Sequence, residues 1–594
     1  MYTKNDYIVK KVYRSFVLIS IVTALVATIG IMIDNIVVGQ FLGTECLSAM
    51  GIVSPISLIF SAVGNISSSG GVTLAARELG RGNKQKFCSI FTVTCAYCVI
   101  IGAILTIVGF LFAPEIAVIL GAKGDVTQPA TEYLRGYMLG AIPTILMPSL
   151  LGFFKMDGST RLPILSIVVM TVVNIVLDLM MALVFHAGMF GMALATTISY
   201  VAAVAVGFLH FKKDYNSLKL VRPLDTWHEL SDMVGTGAPT AVNRICDTLK
   251  TILFNNMIVL IAGSAAVAAM NVRTQVFNLV GSLIMGAGQA LMPISALFYG
   301  EEDQSALKAS IKESLRIGLL LCACAMVLLL CIPSSFSRLL GVTDPDIIRM
   351  ADVGIRCFAL SMPFRLFNVL MTSYYQSAGH SKLGMVISIL QSFVFTVLAA
   401  LLLVGPMKVN GIFLSYLAGE VLTCLFILVH AYRKSRRISD LGAYMLLPDD
   451  FGSDVRKRWE LSIGNDMNEV VALSEKILSR AKEEGLPLPV FHKIALSVEE
   501  MAGNIVKHAF RPGEKKWFDL LILEKDTQYV IRMRDNGQMF DPLKYLHALP
   551  EDEDAGKYGI ELVTRLASDV SYSRSVGLNN LIVVIDKETE GAAY

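Results

Sequence analysis

Two groups of residues carry chemistry in this sequence. The first is Glu500 and Asn504, followed by Asp535-Asn-Gly537 and by Gly556 and Gly559. At i and i+4, a carboxylate and an amide share one helix face. The carboxylate is placed to orient or deprotonate a hydroxyl, and the amide oxygen to ligate a Mg²⁺ that bridges phosphates. Asp535 suits an adenine amino group, Gly537 lets a base approach the backbone, and the N–H groups of Gly556 and Gly559 suit phosphates at a helix N-terminus. The second group is Asp34, Asn174 and Asp178, set among apolar residues. Asp34 lies 20 residues beyond Arg14 and Asp178 lies 17 beyond Arg161. Along straight helices these are about 30 and about 26 Å, a similar depth. Two carboxylates and an amide in one poorly solvated layer suit a proton, or Na⁺ with its preference for oxygen ligands.

The elements that position these residues belong to two solvents. Of 594 residues, 54% are hydrophobic and 17% charged. Apolar stretches long enough to cross a bilayer give about twelve spans, starting near residues 15, 48, 88, 130, 162, 190, 236, 268, 310, 350, 382 and 409. Basic residues fall in alternate connections: Lys10, Lys11 and Arg14; Arg77, Arg81, Lys84 and Lys86; Lys155 and Arg161; Lys212, Lys213, Lys219 and Arg222; Arg433, Lys434, Arg436 and Arg437. The positive-inside rule then puts both termini in the cytoplasm, for a multi-pass protein of the plasma (inner) membrane. The net charge of +2 gives no reason to expect nucleic acid. All ten cysteines precede Arg433, without metal spacing, and read as reduced packing residues.

The apolar part repeats itself. Gly80 and Gly300, Gly121 and Gly341, Pro143 and Pro363, and Gly191 and Gly411 are each 220 residues apart, and Gly158-Ser-Thr-Arg161 answers Gly379-His-Ser-Lys382 at 221. Six spans per half, entering from the same side, imply two parallel repeats with a substrate cavity between two lobes. The second lobe holds Arg244, Asp247, Lys250, Arg365 and Glu420. Asp247 with Arg244 or Lys250 is either an ion pair or a second coupling acid, and Glu420 meets either substrate cations or Arg365.

Ile33-Asp34-Asn-Ile-Val-Val-Gly39, Asn174-Ile-Val-Leu-Asp178 and Gly286-Ala-Gly-Gln-Ala resemble segments of the multidrug and toxic compound extrusion (MATE) family, over about residues 10 to 432. The resemblance implies that Asp34, Asn174 and Asp178, with Thr196 beside them, form a cation-coupling cluster in the first lobe. The second lobe departs from it: Asn255 stands at the repeat position of Asp34, and Arg365 and Asn368 stand where some relatives carry an acid. Asp247 is the remaining candidate there.

Beyond Arg433 the pattern predicts a strand over about 459–464, helices over 466–483 and 488–509, strands over 517–524 and 528–534, a loop, a helix over 559–567, and strands over 568–575 and 580–586. This is a small α/β sandwich of the mixed kind. No Gly-x-x-x-x-Gly-Lys loop occurs, which excludes a P-loop transport motor. Ser497-Val-Glu-Glu-Met-Ala-Gly-Asn504, Asp535-Asn-Gly537-Gln-Met-Phe-Asp-Pro542 and Tyr558-Gly559-Ile-Glu-Leu-Val563 resemble the boxes of the GHKL (Bergerat-fold) ATPases, most of all the anti-sigma-factor serine kinases. The resemblance implies that Glu500 is the catalytic base, Asn504 the Mg²⁺ ligand and Asp535 the adenine reader, with ATP and Mg²⁺ as cofactors. Met539 and Lys557 stand where glycines are usual, and the lid carries Glu551-Asp-Glu-Asp554.

The expected fold is thus an all-α membrane domain of twelve helices in two pseudo-symmetric lobes, 10–220 and 221–432. A basic linker, 433–455, leads to a Bergerat-type domain, 456–590. The expected function is an H⁺- or Na⁺-coupled antiporter of amphipathic or cationic organic compounds in the lipid bilayer. Its ATP-binding domain regulates it or phosphorylates a cytosolic STAS-like (anti-anti-sigma) partner on serine or threonine. The alternatives are a membrane-tethered kinase with the transporter-like part as sensor, and a lipid-linked saccharide flippase.

Overall fold

The computed structural model describes residues 6–159, 161–213, 216–339, 342, 344–435, 441–511, 514–548 and 555–587. Arg436, Arg437, Gly341, Thr160 and Glu551–Asp554 lie outside the described residues. The chain forms two compact units, Tyr13–Leu446 and the segment from Leu447 onward with the residues up to Val12.

The membrane unit is built of α1 (Tyr7–Phe41), α2 (Ser48–Gly80), α3 (Lys84–Leu111), α4 (Gly124–Leu139 and Ala141–Met156, bent by 46°), α5 (Arg161–Leu183) and α6 (Gly188–Lys212). The second half comprises α7 (Thr226–Ala262), α8 (Ala266–Gly300), α9 (Gln304–Cys331), α10 (Pro345–Ser377), α11 (Ser381–Met407) and α12 (Val409–Ser435). With the bent pair taken as one span, the described residues hold twelve helices long and apolar enough to cross a membrane, as expected. Apolar side chains such as Leu18, Ile100, Ile104, Leu111 and Leu402 point outward, while Ser67, Ser149, Thr94 and Asn368 are buried between helices. Small and polar residues at helix–helix contacts with an apolar exterior are the inverse of soluble packing, and are what a lipid solvent selects. The ten cysteines are all free thiols.

The 220-residue register extends to local geometry. Asn83 caps α3 by accepting from Lys86 N–H at 3.0 Å, and Asp303 caps α9 by accepting from Ala306 N–H at 3.0 Å. Gly158 and Gly379 both turn the chain with left-handed φ, 84° and 83°. A Cβ on Gly80 would sit 2.1 Å from the Leu297 carbonyl oxygen, and one on Gly300 would sit 2.0 Å from that of Arg77. The two halves therefore cross at the ends of α2 and α8 through glycines that face each other's helix.

After α12, a short helix α13 (Leu441–Met445) is held against the end of α10. Tyr374 O–H donates to the Met445 carbonyl at 3.0 Å, Tyr375 O–H to that of Tyr444 at 3.0 Å, and His380 Nε2 lies 2.9 Å from that of Leu446. Both tyrosines are buried.

The second unit contains β1 (Lys457–Gly464), α14 (Met467–Glu483), α15 (Leu488–Asn504), β2 (Trp517–Glu524), β3 (Gln528–Asp535), α16 (Pro542–Ala548), α17 (Ala555–Leu566), β4 (Asp569–Ser575) and β5 (Leu578–Asp586). The sheet order is β1-β2-β3-β5-β4, and every neighbour is antiparallel. Sheet and helices form the small α/β sandwich expected from the sequence, and α16 occupies what reads as loop. Period-2 alternation sends Phe518, Leu520 and Ile522 of β2 and Ile531 and Met533 of β3 to one face, where Val470, Leu473, Ile494 and Val498 of the helices cover them.

Candidate functional site

In the membrane unit, a cavity of about 1330 Å³ opens between the two halves. Asp34 of α1, Tyr133 and Tyr137 of α4, Asn174 of α5 and Thr196 of α6 line it from the first half, and Asn271 and Gln275 of α8 from the second. Asp178, one turn beyond Asn174, is 1% exposed and accepts from Asn174 Nδ2 at 3.3 Å. The Asp34 and Asp178 carboxyl groups, brought together by α1 and α5, are within hydrogen-bonding reach of each other. Each keeps a buried Oδ1 without a partner. Two adjacent carboxyls of this kind can share a proton or take a cation, because paired like charges in low dielectric are unfavourable. Thr196 donates to the Met192 carbonyl at 3.4 Å and stands in the same cavity wall.

Asp247 does not join this group. It lies on α7 and accepts from Lys250 Nζ at 2.7 Å, one turn along the same helix. Of the two readings left open for it, the ion pair is what forms. Glu420 likewise resolves to a partner within the protein: its carboxylate accepts from Arg365 Nη1 at 2.7 Å, Asn368 Nδ2 at 2.8 Å and Gln391 Nε2 at 2.8 Å. Tyr133 and Tyr137, stacked with ring centroids 5.9 Å apart, were not singled out by sequence. Their four-residue spacing on the helix facing Asp34 is the signal that would have found them.

A second cavity, of about 360 Å³, lies between the halves at the opposite end of α4. Ala27, Met170 and Tyr200 line both cavities and so form the partition between them.

In the second unit, α15 carries Glu500 and Asn504 on one face, as the spacing requires, and then loosens into a π turn over Ile505–Ala509. Asn504 is 8% exposed, and its amide nitrogen has no partner. Asp535 ends β3, paired across the ladder with Asn579 of β5. Its Oδ1 accepts from Gly537 N–H at 2.7 Å and from Asn579 Nδ2 at 2.8 Å. Tyr572 O–H orients Asn579 by donating to its Oδ1 at 2.9 Å. Burial pushes the Asp535 carboxyl up to about 6, against the opposing pull of the Gly537 N–H, Asn579 and Arg574. Met501, Asn504, Ile505, Phe540, Tyr572 and Leu581 surround it, so the carboxylate sits at the floor of a mainly apolar slot. The slot is closed to about 10 Å³, so an aromatic base with an exocyclic amine would need its walls to part. Asn579 and Tyr572 were missed because their roles depend on strand register, which the sequence does not display.

Gly537 packs against the π turn, where a Cβ would lie 2.2 Å from the Ala509 carbonyl oxygen. Gly556 lies in the first turn of α17, among the free N–H groups of a helix start. Gly559, expected from sequence to face a phosphate, is the fifth residue of α17. Its lack of a side chain admits Glu500, whose Oε2 a Cβ would meet at 2.0 Å. That contact joins α15 to α17.

Comparison with known proteins agrees with both units. Residues 20–180 and 239–402 match the MatE family, and residues 465–585 match the histidine kinase-like ATPase domain. Among curated relatives, the multidrug export protein MepA of Staphylococcus aureus strain MSSA476 is 24% identical over 414 residues, covering 68% of this chain and 89% of that protein. The MepA of Staphylococcus saprophyticus is 26% identical over 414 residues, covering 68% and 90%. The fold is shared with a crystal structure of MATE in complex with MaL6, at TM-score 0.67 and 20% identity over 70% of this chain and 94% of that one. It is also shared with an outward-facing multidrug resistance MATE family transporter of the MOP superfamily, at TM-score 0.67 and 19% identity over 72% and 96%. The chain belongs to the MatE family, and its membrane unit is followed by a histidine kinase-like ATPase domain.

Proposed function

We propose that this protein is an H⁺- or Na⁺-coupled antiporter that exports amphipathic, often cationic, organic compounds, with lobes at 10–220 and 221–432. The observation that carries the reading is the Asp34–Asp178–Asn174 cluster at the wall of the large interlobe cavity. Loading the two carboxyls with a proton or Na⁺ removes charge from that wall, and a cationic substrate competes for the same carboxylates. Exchange of one for the other couples the two fluxes. The basic connections support cytoplasmic termini, so the large cavity faces outward. The MepA relatives support multidrug substrates.

The domain at 456–590, joined through the linker 433–455, binds ATP and regulates transport or phosphorylates a STAS-like partner. Asp535 and the apolar slot would hold adenine, Asn504 a Mg²⁺, and the Gly556 N–H a phosphate. ATP supplies a transferable phosphoryl group, and Glu500 would orient the receiving hydroxyl. Dye export by proteoliposomes carrying the full chain or a truncation ending near Arg437, with and without ATP, tests the division of labour. Ion-driven export by the truncation is expected. Export that requires ATP and disappears in Glu500→Ala would overturn it.

A further inference from the structure

The smaller cavity has the opposite electrostatic character from the large one. Lys155 of α4, Arg244 of α7 and Arg365 of α10 line it, and no Asp or Glu is among its lining residues. The charge there is only partly answered from behind the wall. Arg365 is bound to Glu420 at 2.7 Å, and Asp247, the acid nearest Arg244 in sequence, is engaged by Lys250 at 2.7 Å. Among the described residues, Lys155 and Arg244 have no ion-pair partner. Arg365 Nε and Thr372 Oγ1 are buried without hydrogen-bond partners. The wall is mixed and adaptable: Met147, Met170, Met285 and Met292 contribute flexible thioethers beside polar side chains such as Asn243, Gln289 and Gln391. A volume of about 360 Å³ is that of a small-molecule site.

We infer that this cavity is a binding site for an amphipathic organic anion. Its carboxylate, sulfonate or phosphate would lie between Lys155 and Arg244, and its apolar body against the methionines. Cations drawn from both halves make the anion a bridge across the lobe interface. Its affinity is therefore specific to the conformation in which α4 and α7 face one another. The site stands apart from the Asp34 cluster and does not depend on which ion drives export.

The test uses the full chain in phosphatidylcholine nanodiscs and two probes with the same apolar body, naphthalene-2-sulfonate and 2-naphthylmethylammonium, titrated by calorimetry. The sulfonate should bind and the ammonium should not displace it. Lys155→Gln and Arg244→Gln should each weaken sulfonate binding roughly tenfold, the scale of a charge-assisted hydrogen bond, and Lys155→Arg should largely retain it. Equal binding of the two probes to the unaltered protein overturns the proposal without recourse to any variant. So does unchanged sulfonate affinity in the folded double variant. Replacing part of the lipid with phosphatidylglycerol distinguishes the source: displacement of the probe identifies a lipid headgroup as occupant, and no displacement identifies a soluble anion. Asp34→Asn should leave sulfonate affinity intact while dye export is lost, so failure of the export reading is read separately.

Discussion

Gly80 and Gly300 occupy equivalent positions in the two halves, and each lies where a side chain would strike the backbone of the other half's helix. This crossing closes the lobe interface on the side where α2 and α8 end, while the large cavity stays open on the other. Gly300→Leu should therefore disfavour this state. Overpacking of a tight contact costs about 1–3 kcal/mol, which shifts a two-state equilibrium roughly 5- to 150-fold. Spin labels at Ser57 and Leu279, across the large cavity, should report a shorter separation in this variant. An unchanged distance distribution would show that the crossing does not set the conformation.

Asp34 and Asp178 act as one unit in the proposed exchange, so their effects should not add. Asp34→Asn should reduce the dye gradient sustained by an imposed ion gradient by roughly 5- to 150-fold, the usual range of coupling free energies. Asp178→Asn should do the same, and the double variant should be little worse than either. Additive losses, measured by export in proteoliposomes, would separate the two carboxyls.

Glu420 accepts from side chains of α10 and α11 while itself lying on α12. Removing the carboxylate strands a buried guanidinium, at a cost of about 3–5 kcal/mol. Glu420→Ala should show this as a lowered unfolding temperature in detergent. Glu420→Gln, which keeps one acceptor oxygen, should lose less, and Lys250→Met should test whether the neighbouring Asp247 pair behaves alike.

Nucleotide binding should depend on pH through Asp535, which burial raises to about 6. An adenine amine needs an ionised acceptor, so ATP affinity should fall as pH drops through about 6. Stability of the nucleotide-free domain runs the other way. A carboxyl raised in the fold stabilises it at low pH, and that contribution is lost as pH rises from the usual carboxylate value toward 6. Asp535→Asn should flatten both profiles, as read by nucleotide titration and thermal unfolding between about pH 4 and about pH 8.

Much of this was legible in the residues. Twelve apolar stretches and a 220-residue register display the membrane unit because lipid imposes length and repeats impose spacing. Glu500 and Asn504 are legible because a four-residue spacing fixes a helix face. What was not legible depends on which elements meet. Asp247 reads equally as a coupling acid or an ion-pair partner, and its contact with Lys250 is made only by the fold; Gly559 acquires its place inside α17 only there, and Asn579 gains its role only from lying opposite Asp535. The Asp34–Asp178 contact itself joins helices 144 residues apart in sequence, so equal depth was readable but adjacency was not.

The docking of α13 on Tyr374, Tyr375 and His380 changes the length of chain available to the second unit. Of the 23 residues between Arg433 and Lys457, only 10 lie between the anchored Leu446 and the first strand. Fully extended, they reach about 40 Å. A domain on so short a leash meets any site carried by its own membrane unit at an effective concentration in about the millimolar range. Weak affinity is then sufficient for that encounter, and cutting the chain after Leu446 would abolish it without altering a single contact surface.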